Sequence, residues 1–265
     1  MRRLGRALLV GAAVTAVALF GSPATAAPAA APLATNYVAL GDSYASGTGA
    51  GSYGSSGSCY RSANAYAPRW ATAHGAALTF AACSGAQTAD VLNSQVNSLS
   101  ASTNLVTVSI GGNDAGFSDV MITCTTGSDS SCVNAVNQAR TFAQTTLPGR
   151  LDNVYQTIRN RAPNASIVVL GYPRLLSASS CWWFSSTKRN AVNGASDLLS
   201  SITAGRAAAN GVTYEDVRDN FAGHEVCTGS PWINGISWSN ITESYHPNST
   251  GHGSGYLPAL TGVTG

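Results

Sequence analysis

Five short apolar runs, separated by stretches with helical spacing, constrain the fold of this chain more than any other feature. The runs are Asn36 to Leu40, Leu78 to Ala82, Leu105 to Ile110, Ile167 to Gly171 and Val212 to Val217. The unbroken Ile-Val-Val-Leu of the fourth reads as a strand buried on both faces. Between the runs, Asn64 to His74 reads as a helix with Pro68 at a kink or start. Thr88 is placed to cap a helix reaching about Leu99, with Val91, Leu92, Gln95, Val96 and Leu99 at helical spacing. Cys132 to Arg161 is helical with an interruption near Pro148-Gly149, and Ser186 to Asn210 is one long helix. Strands alternating with helices need crossover connections, so the sheet is parallel and covered on both sides. The expectation is an α/β domain of the flavodoxin-like, three-layer αβα type with a five-stranded parallel sheet. In such sheets ligands bind beyond the carboxyl ends of the strands.

The amino terminus reads as something other than fold. Arg2, Arg3 and Arg6 precede an uncharged, mostly apolar run from Ala7 to Phe20, and Ala24-Thr25-Ala26 follows. That is the pattern of a secretory signal peptide over residues 1–26, with cleavage between 26 and 34 and a short Ala/Pro-rich segment over 27–35. The apolar run is shorter than the ~20 residues of a membrane span, so no stable membrane anchor is expected. Residues 36–265 suit a single domain with its own core. Without the three leader arginines the formal charge of +2 becomes about −1, and no basic stripe remains to bind nucleic acid. All six cysteines, Cys59, Cys83, Cys124, Cys132, Cys181 and Cys227, lie beyond the leader, which argues for disulfides. Cys124 and Cys132 bracket a Thr/Ser/Gly/Asp loop and are expected to close it. No cysteine spacing matches a zinc knuckle, so no metal site is expected.

Chemistry concentrates where runs end. The first closes in Leu40-Gly41-Asp42-Ser43, a turn that holds a serine hydroxyl at the strand–loop junction. Ala82-Cys83-Ser84-Gly85-Ala86 follows the second and Ile110-Gly111-Gly112-Asn113-Asp114 the third. Taken alone, Ser43 and Gly85 are turn residues and Asn113 is a turn asparagine. Asp42 shapes its turn by bonding backbone amides. A neutral serine needs a base, and four histidines compete. His74 ends a helix, His224 stands near a cysteine, and His252 lies between glycines. His246 precedes Pro247, which restricts its backbone to extended conformations. Trp182-Trp183-Phe184 and Trp232 either line an acyl site or shield core and cysteines. Asn240-Ile241-Thr242 matches a glycosylation triplet, as does Asn248-Ser249-Thr250.

The four blocks around Ser43, Gly85, Asn113 and His246, in that order, resemble the SGNH hydrolases, also called GDSL esterases and lipases, and most closely their secreted actinobacterial branch. The resemblance runs from about Asn36 to the end. It implies a Ser43 nucleophile, a His246 base, and an oxyanion hole from the N–H groups of Ser43 and Gly85 with the Asn113 amide. The ring-orienting third member is left open between the Glu243 carboxylate and the Ser244 backbone carbonyl. The resemblance also pairs Cys59 with Cys83 and Cys181 with Cys227. It implies a secreted, cofactor-free, monomeric carboxylester hydrolase acting on lipid or small-molecule esters. Alternatives are a polysaccharide O-acetyl esterase and, in another class, a non-catalytic binding module on the same fold.

Overall fold

The computed structural model describes residues 34–179 and 181–265; the expected signal peptide and most of the Ala/Pro-rich segment lie outside them. Strands β1 (Asn36–Gly41), β2 (Ala77–Phe80), β3 (Leu105–Ser109), β4 (Ser166–Leu170) and β5 (Thr213–Glu215) form one parallel sheet in the order β2-β1-β3-β4-β5. Tyr37 stands opposite Leu105 and Val168 opposite Thr213. Alternation along β1 sends Tyr37 and Ala39 into one core and Val38 and Leu40 into the other, so both faces are covered. Helices α2 (Tyr66–His74) and α8 (Leu257–Thr264) contribute to the first core, α3 (Thr88–Asn93) and α6 (Leu147–Arg161) to the second. On α6, Leu147, Leu151, Val154, Tyr155 and Ile158 are all fully buried at helical spacing. Each aliphatic one contributes roughly 1.5–3 kcal/mol of transfer free energy, offset by lost conformational freedom. Helix α5 (Asp129–Thr145) packs between α4 (Phe117–Thr126) and α7 (Ser186–Ala209), which runs back to β5. From β1 the chain steps outward to β2 and then back across to β3. The resulting crevice between β1 and β3 is the switch point at which such folds bind ligands.

Several boundaries differ from the sequence reading. Gln87, not Thr88, caps α3: its side chain accepts from the Asp90 N–H, and its own N–H donates 2.8 Å to Asp90 Oδ2. Thr88 sits one residue inside because Asp114 takes both its N–H, at 2.9 Å, and its hydroxyl, at 2.6 Å. The helix expected to reach Leu99 stops at Asn93 and tightens into a 3-10 turn over Gln95–Ser98. The break in the long helical stretch falls at Thr146, and Pro148 occupies the first turn of α6, where its missing N–H costs nothing. Disulfide Cys124–Cys132 is formed, and the segment it closes is a tight turn at Gly127 between α4 and α5. Disulfides Cys59–Cys83 and Cys181–Cys227 are also formed. Helices α4 and α8, and the π-helical turn over Gly251–Tyr256 before α8, have no counterpart in the sequence reading. Gly251 and Gly255 obscured the last: they are required because a Cβ there would meet the Trp232 carbonyl and the Phe221 ring.

The end of β1 is the tightest point of the sheet. Gly41 has φ of +124°, and a Cβ would press into the Ser109 carbonyl oxygen on β3. The buried Gln95 side chain clamps the same residue, accepting from Gly41 N–H at 2.7 Å and donating to Gly41 O at 2.9 Å. The irregular turn after α3 is what brings Gln95 there. Gly41→Ala is therefore expected to cost at least about 2 kcal/mol in urea unfolding, through strain and lost clamp geometry. Gly149→Ala, in open space in the first turn of α6, is expected to stabilise by about 0.4–1 kcal/mol.

Candidate active site

Ser43 opens the one-turn helix α1 (Ser43–Ser46), and Asp42 caps it with Oδ1 accepting from Tyr44 N–H at 2.9 Å. Tyr172 donates its hydroxyl to the other Asp42 oxygen. Burial pushes the Asp42 carboxyl up to about 7, against the lowering effect of those two donors. At the open first turn of α1 the Ser43 N–H donates to no acceptor among the described residues, nor does the N–H of Gly85. Ser43 is itself only 5% exposed.

The histidine arrives on a loop held from several directions. Asn234 donates its N–H to His246 O at 2.9 Å, accepts the Tyr245 N–H at 3.0 Å, and reaches Gly49 O through Nδ2 at 3.0 Å. Tyr44 donates to Tyr245 O at 2.6 Å, and the Tyr245 and Thr125 hydroxyls bond at 2.7 Å. These ties keep Tyr245 at φ of +60°, a left-handed conformation costly for an aromatic residue. The result aims His246 at α1: its Nε2 lies 2.7 Å from Ser43 Oγ and its Nδ1 2.9 Å from Ser244 O. A carbonyl only accepts, so Nδ1 carries the proton and Nε2 is left to accept from the serine hydroxyl. Burial lowers the imidazole pKa to about 4, with the Ser244 carbonyl pulling the other way. Of the two alternatives open in the sequence, the carbonyl stands at the ring. The Glu243 carboxylate instead accepts from the Tyr53 hydroxyl at 2.6 Å. A residue three positions before the histidine, in a 3-10 turn over Ile241–Glu243, projects away from the ring.

Gly85 and Asn113 follow β2 and β3 onto the same edge. Gly85 takes φ of +80° two residues after the Cys59–Cys83 bridge. Asn113 donates Nδ2 to Ala86 O at 3.0 Å, which sets its amide beside the Gly85 turn. Its neighbour Asp114 accepts from Thr88 and from Arg150, at 2.9 Å, and so ties the β3 loop to α3 and α6. Ser43 and Asn113 border two spaces. One is a narrow apolar slot between α4, α5 and α7, lined by Phe117, Met121, Ala143, Leu175, Val192 and Leu199 among others. The other is a wider groove that also reaches Gly85, Thr125 and His246. Trp182, Trp183 and Trp232 line neither. The first two flank Cys181–Cys227, Phe184 is buried core, and Trp232 stacks on His224 at 3.7 Å. His74 bonds the Trp70 carbonyl at 2.8 Å and stacks on its ring. His252 is wholly buried in a cluster with the Tyr66 and Tyr256 rings, neither nitrogen has a partner among the described residues, and burial lowers it to about 3.

Gln95, Tyr172, Asn234 and Tyr44 were not recognised from sequence as parts of this site. Only Gln95 left a signal, as a polar residue inside an apolar helical stripe.

A serine and histidine in contact at the carboxyl edge of a doubly wound parallel sheet define an α/β protein of the serine-hydrolase type. Residues 39–253 match the GDSL-like Lipase/Acylhydrolase family, and the chain belongs to it. It is 52% identical to Lipase 1 of Streptomyces coelicolor, over 97% of this chain and 94% of that protein. The crystal structure of phospholipase A1 from Streptomyces albidoflavus is similar with a TM-score of 0.85 and 50% identity, covering 87% of this chain and 99% of that one. The extracellular lipase of Streptomyces rimosus matches with a TM-score of 0.85 and 48% identity, over 87% and 100% of the two chains. An acetylxylan esterase from Geobacillus stearothermophilus, at 13% identity and a TM-score of 0.55, shares the fold.

The buried histidines generate a stability prediction. Unfolded, a histidine titrates near 6.5, while folded His252 titrates near 3. The unfolded state therefore binds more protons between those values, and the contribution is complete above pH 6.5 and lost as pH falls toward 3. His252→Phe, which keeps the ring stack, should shrink the loss of stability between pH 7 and 4 by on the order of 3 kcal/mol. Chemical denaturation at both pH values checks this. Asp42 acts in the opposite direction but is common to both proteins and cancels in the comparison.

Proposed function

We propose that this protein hydrolyses lipid carboxylic esters through a covalent acyl-Ser43 intermediate. The observation that carries the reading is the 2.7 Å contact of Ser43 Oγ with a His246 nitrogen left unprotonated by the Ser244 carbonyl. In the proposed cycle Ser43 Oγ attacks the ester carbonyl as His246 Nε2 takes its proton. The oxyanion accepts from Ser43 N–H, Gly85 N–H and the remaining Asn113 amide N–H. Each such donor is typically worth about 3–4 kcal/mol in the transition state. Collapse expels the alcohol, protonated by His246, and water attacks the acyl-enzyme with His246 again as base. The base at about 4 stays neutral over the physiological range, so no fraction of it is lost to protonation at pH 7. Ser43, His246, Gly85 and Asn113 are thus assigned the chemistry, and Glu243 is not a member of a triad. Both proton positions are served by His246, so the cycle requires no cofactor.

The substrate class follows from the slot. A narrow apolar channel beginning at Ser43 suits a long acyl chain better than an acetyl group. Relatives named lipase and phospholipase A1 support lipid esters. The basic leader, three disulfides and a relative described as extracellular support an exported protein, which we take to act as a monomer.

Fluorophosphonate labelling with turnover of acyl esters tests the reading. Ser43→Ala is expected to abolish both with the fold retained; turnover by the folded variant would refute the assignment. Asn113→Ala should lower kcat by roughly 10²–10³ with a smaller change in KM. Glu243→Gln should cost less than about tenfold in kcat, because the ring keeps its carbonyl partner. A loss of orders of magnitude with the fold intact would restore Glu243 to the chemistry.

A further inference from the structure

Three of the five exposed large apolar side chains among the described residues gather where the groove opens. Trp238 is 75% exposed, Ile122 53% and Ile241 51%, and all three border the groove that leads to Ser43. They come from two separate elements. Ile122 projects from α4 next to buried Met121, and both border the groove. Trp238 and Ile241 sit on a loop pinched shut by the Ser237 N–H donating 2.8 Å to Ser244 Oγ. That loop runs directly into Ser244 and His246. Each side chain has left the protein interior without a packing reason, and contiguous exposed apolar surface of this kind marks an interaction site.

We propose that this rim docks the protein on a zwitterionic lipid surface, with Trp238 and Ile241 entering the headgroup boundary and the groove mouth facing the membrane. The inference rests on the lipid-ester reading and adds how substrate is reached. Charge selects the occupant. Among the described residues lining the groove none is charged. Asp119, exposed on α4 three residues before Ile122, shares its side of the helix. The nearest acid on the loop, Glu243, is engaged by Tyr53. Anionic lipid surfaces are held by clusters of Lys and Arg, and here there is none at the mouth. An indole, apolar with one polar edge, is suited to the headgroup level of a bilayer. A second copy of the chain is a poorer occupant: three side chains expose on the order of 400 Å², well short of the roughly 800 Å² per partner of a standard interface.

Flotation with phosphatidylcholine vesicles tests this, using the Ser43→Ala protein so that binding is read without hydrolysis. That protein is expected to float with the vesicles. Adding Trp238→Ser, alone and with Ile241→Ser, should lower partitioning at least fivefold and tenfold respectively, with melting temperatures reporting that both fold. Adding Trp182→Ser instead, an exposed indole away from the groove, should change it less than twofold. Replacing a third of the lipid with phosphatidylglycerol should not raise binding more than twofold. No flotation, an equal loss with Trp182→Ser, or a steep rise on anionic vesicles would overturn the proposal. So would a wild-type dimer in sedimentation that Trp238→Ser dissociates, which makes the rim a self-association face. A dissolved short-chain ester separates the two readings. Absent hydrolysis there defeats the esterase assignment whatever the flotation shows. Present hydrolysis without flotation defeats docking alone. With Ser43 intact, Trp238→Ser should lower vesicle hydrolysis at least about fivefold more than hydrolysis of the dissolved ester.

Discussion

The peptide at Gly41 is the point from which the rest of the carboxyl edge hangs. Its N–H and carbonyl are both taken by the Gln95 amide, much as a neighbouring strand would take them. The same carbonyl accepts from Cys83 N–H at 3.0 Å, and the next N–H, of Asp42, donates to Ser109 O at 2.9 Å. One residue thereby ties β1 to the segment carrying Gly85 and to the strand that delivers Asn113. That Ser43, Gly85 and Asn113, each following a different strand, line one groove has a local cause. Only a residue without a side chain allows β1 and β3 to approach so closely, and only a buried side-chain amide satisfies the peptide left without a strand partner.

Burial then decides the electrostatics of that edge. His246 is held neutral by desolvation, and its one polar anchor is an uncharged carbonyl. Asp42, the carboxyl nearest Ser43 in sequence, is itself pushed toward protonation at neutral pH. A negative charge developing at Ser43 would therefore meet less opposing charge than an ionised Asp42 would impose. Tyr172 contributes twice, bonding Asp42 and lying against Gly112 before Asn113. Packing and electrostatics at this edge depend on the same few buried hydroxyls.

How much of this was legible depends on what each residue has to do. The strands were plain because burial on both faces demands unbroken apolar runs. Strand ends placed Ser43, Gly85 and Asn113 along one edge, but each alone reads as a turn residue, and only the resemblance of the four blocks implied their roles. Helix limits were less plain: Thr88 is the better cap by residue type, yet Asp114, distant in sequence, claims it. The π-helical turn before α8 was hidden by glycines whose purpose is close approach to Phe221 and Trp232, visible only once the chain has folded back. Asn234 and Tyr44 were illegible for the same reason. Their partners lie on His246, Tyr245 and Gly49, and no local pattern announces a clamp between distant loops. Glu243 and the Ser244 carbonyl stayed open as alternatives because a carboxylate near a histidine suggests a pair, while only the folded loop shows the carboxylate engaged by Tyr53.

The Ser244 carbonyl has a consequence for how this site tolerates genetic change. A carboxylate anchor is a side chain, and one nucleotide substitution can remove it. A carbonyl belongs to the main chain, and every residue type at position 244 supplies the same oxygen. What can be lost is the path of the backbone, which is set by many weak ties rather than one codon: Asn234, Tyr44, Thr125 and the pinch at Ser237. The orientation of His246 thus presents a diffuse mutational target. Drift at position 244 would remove only the Ser237 pinch, one tie among several, and leave the carbonyl in place, while further damage would come from distant positions whose connection to the histidine is not apparent in the primary structure.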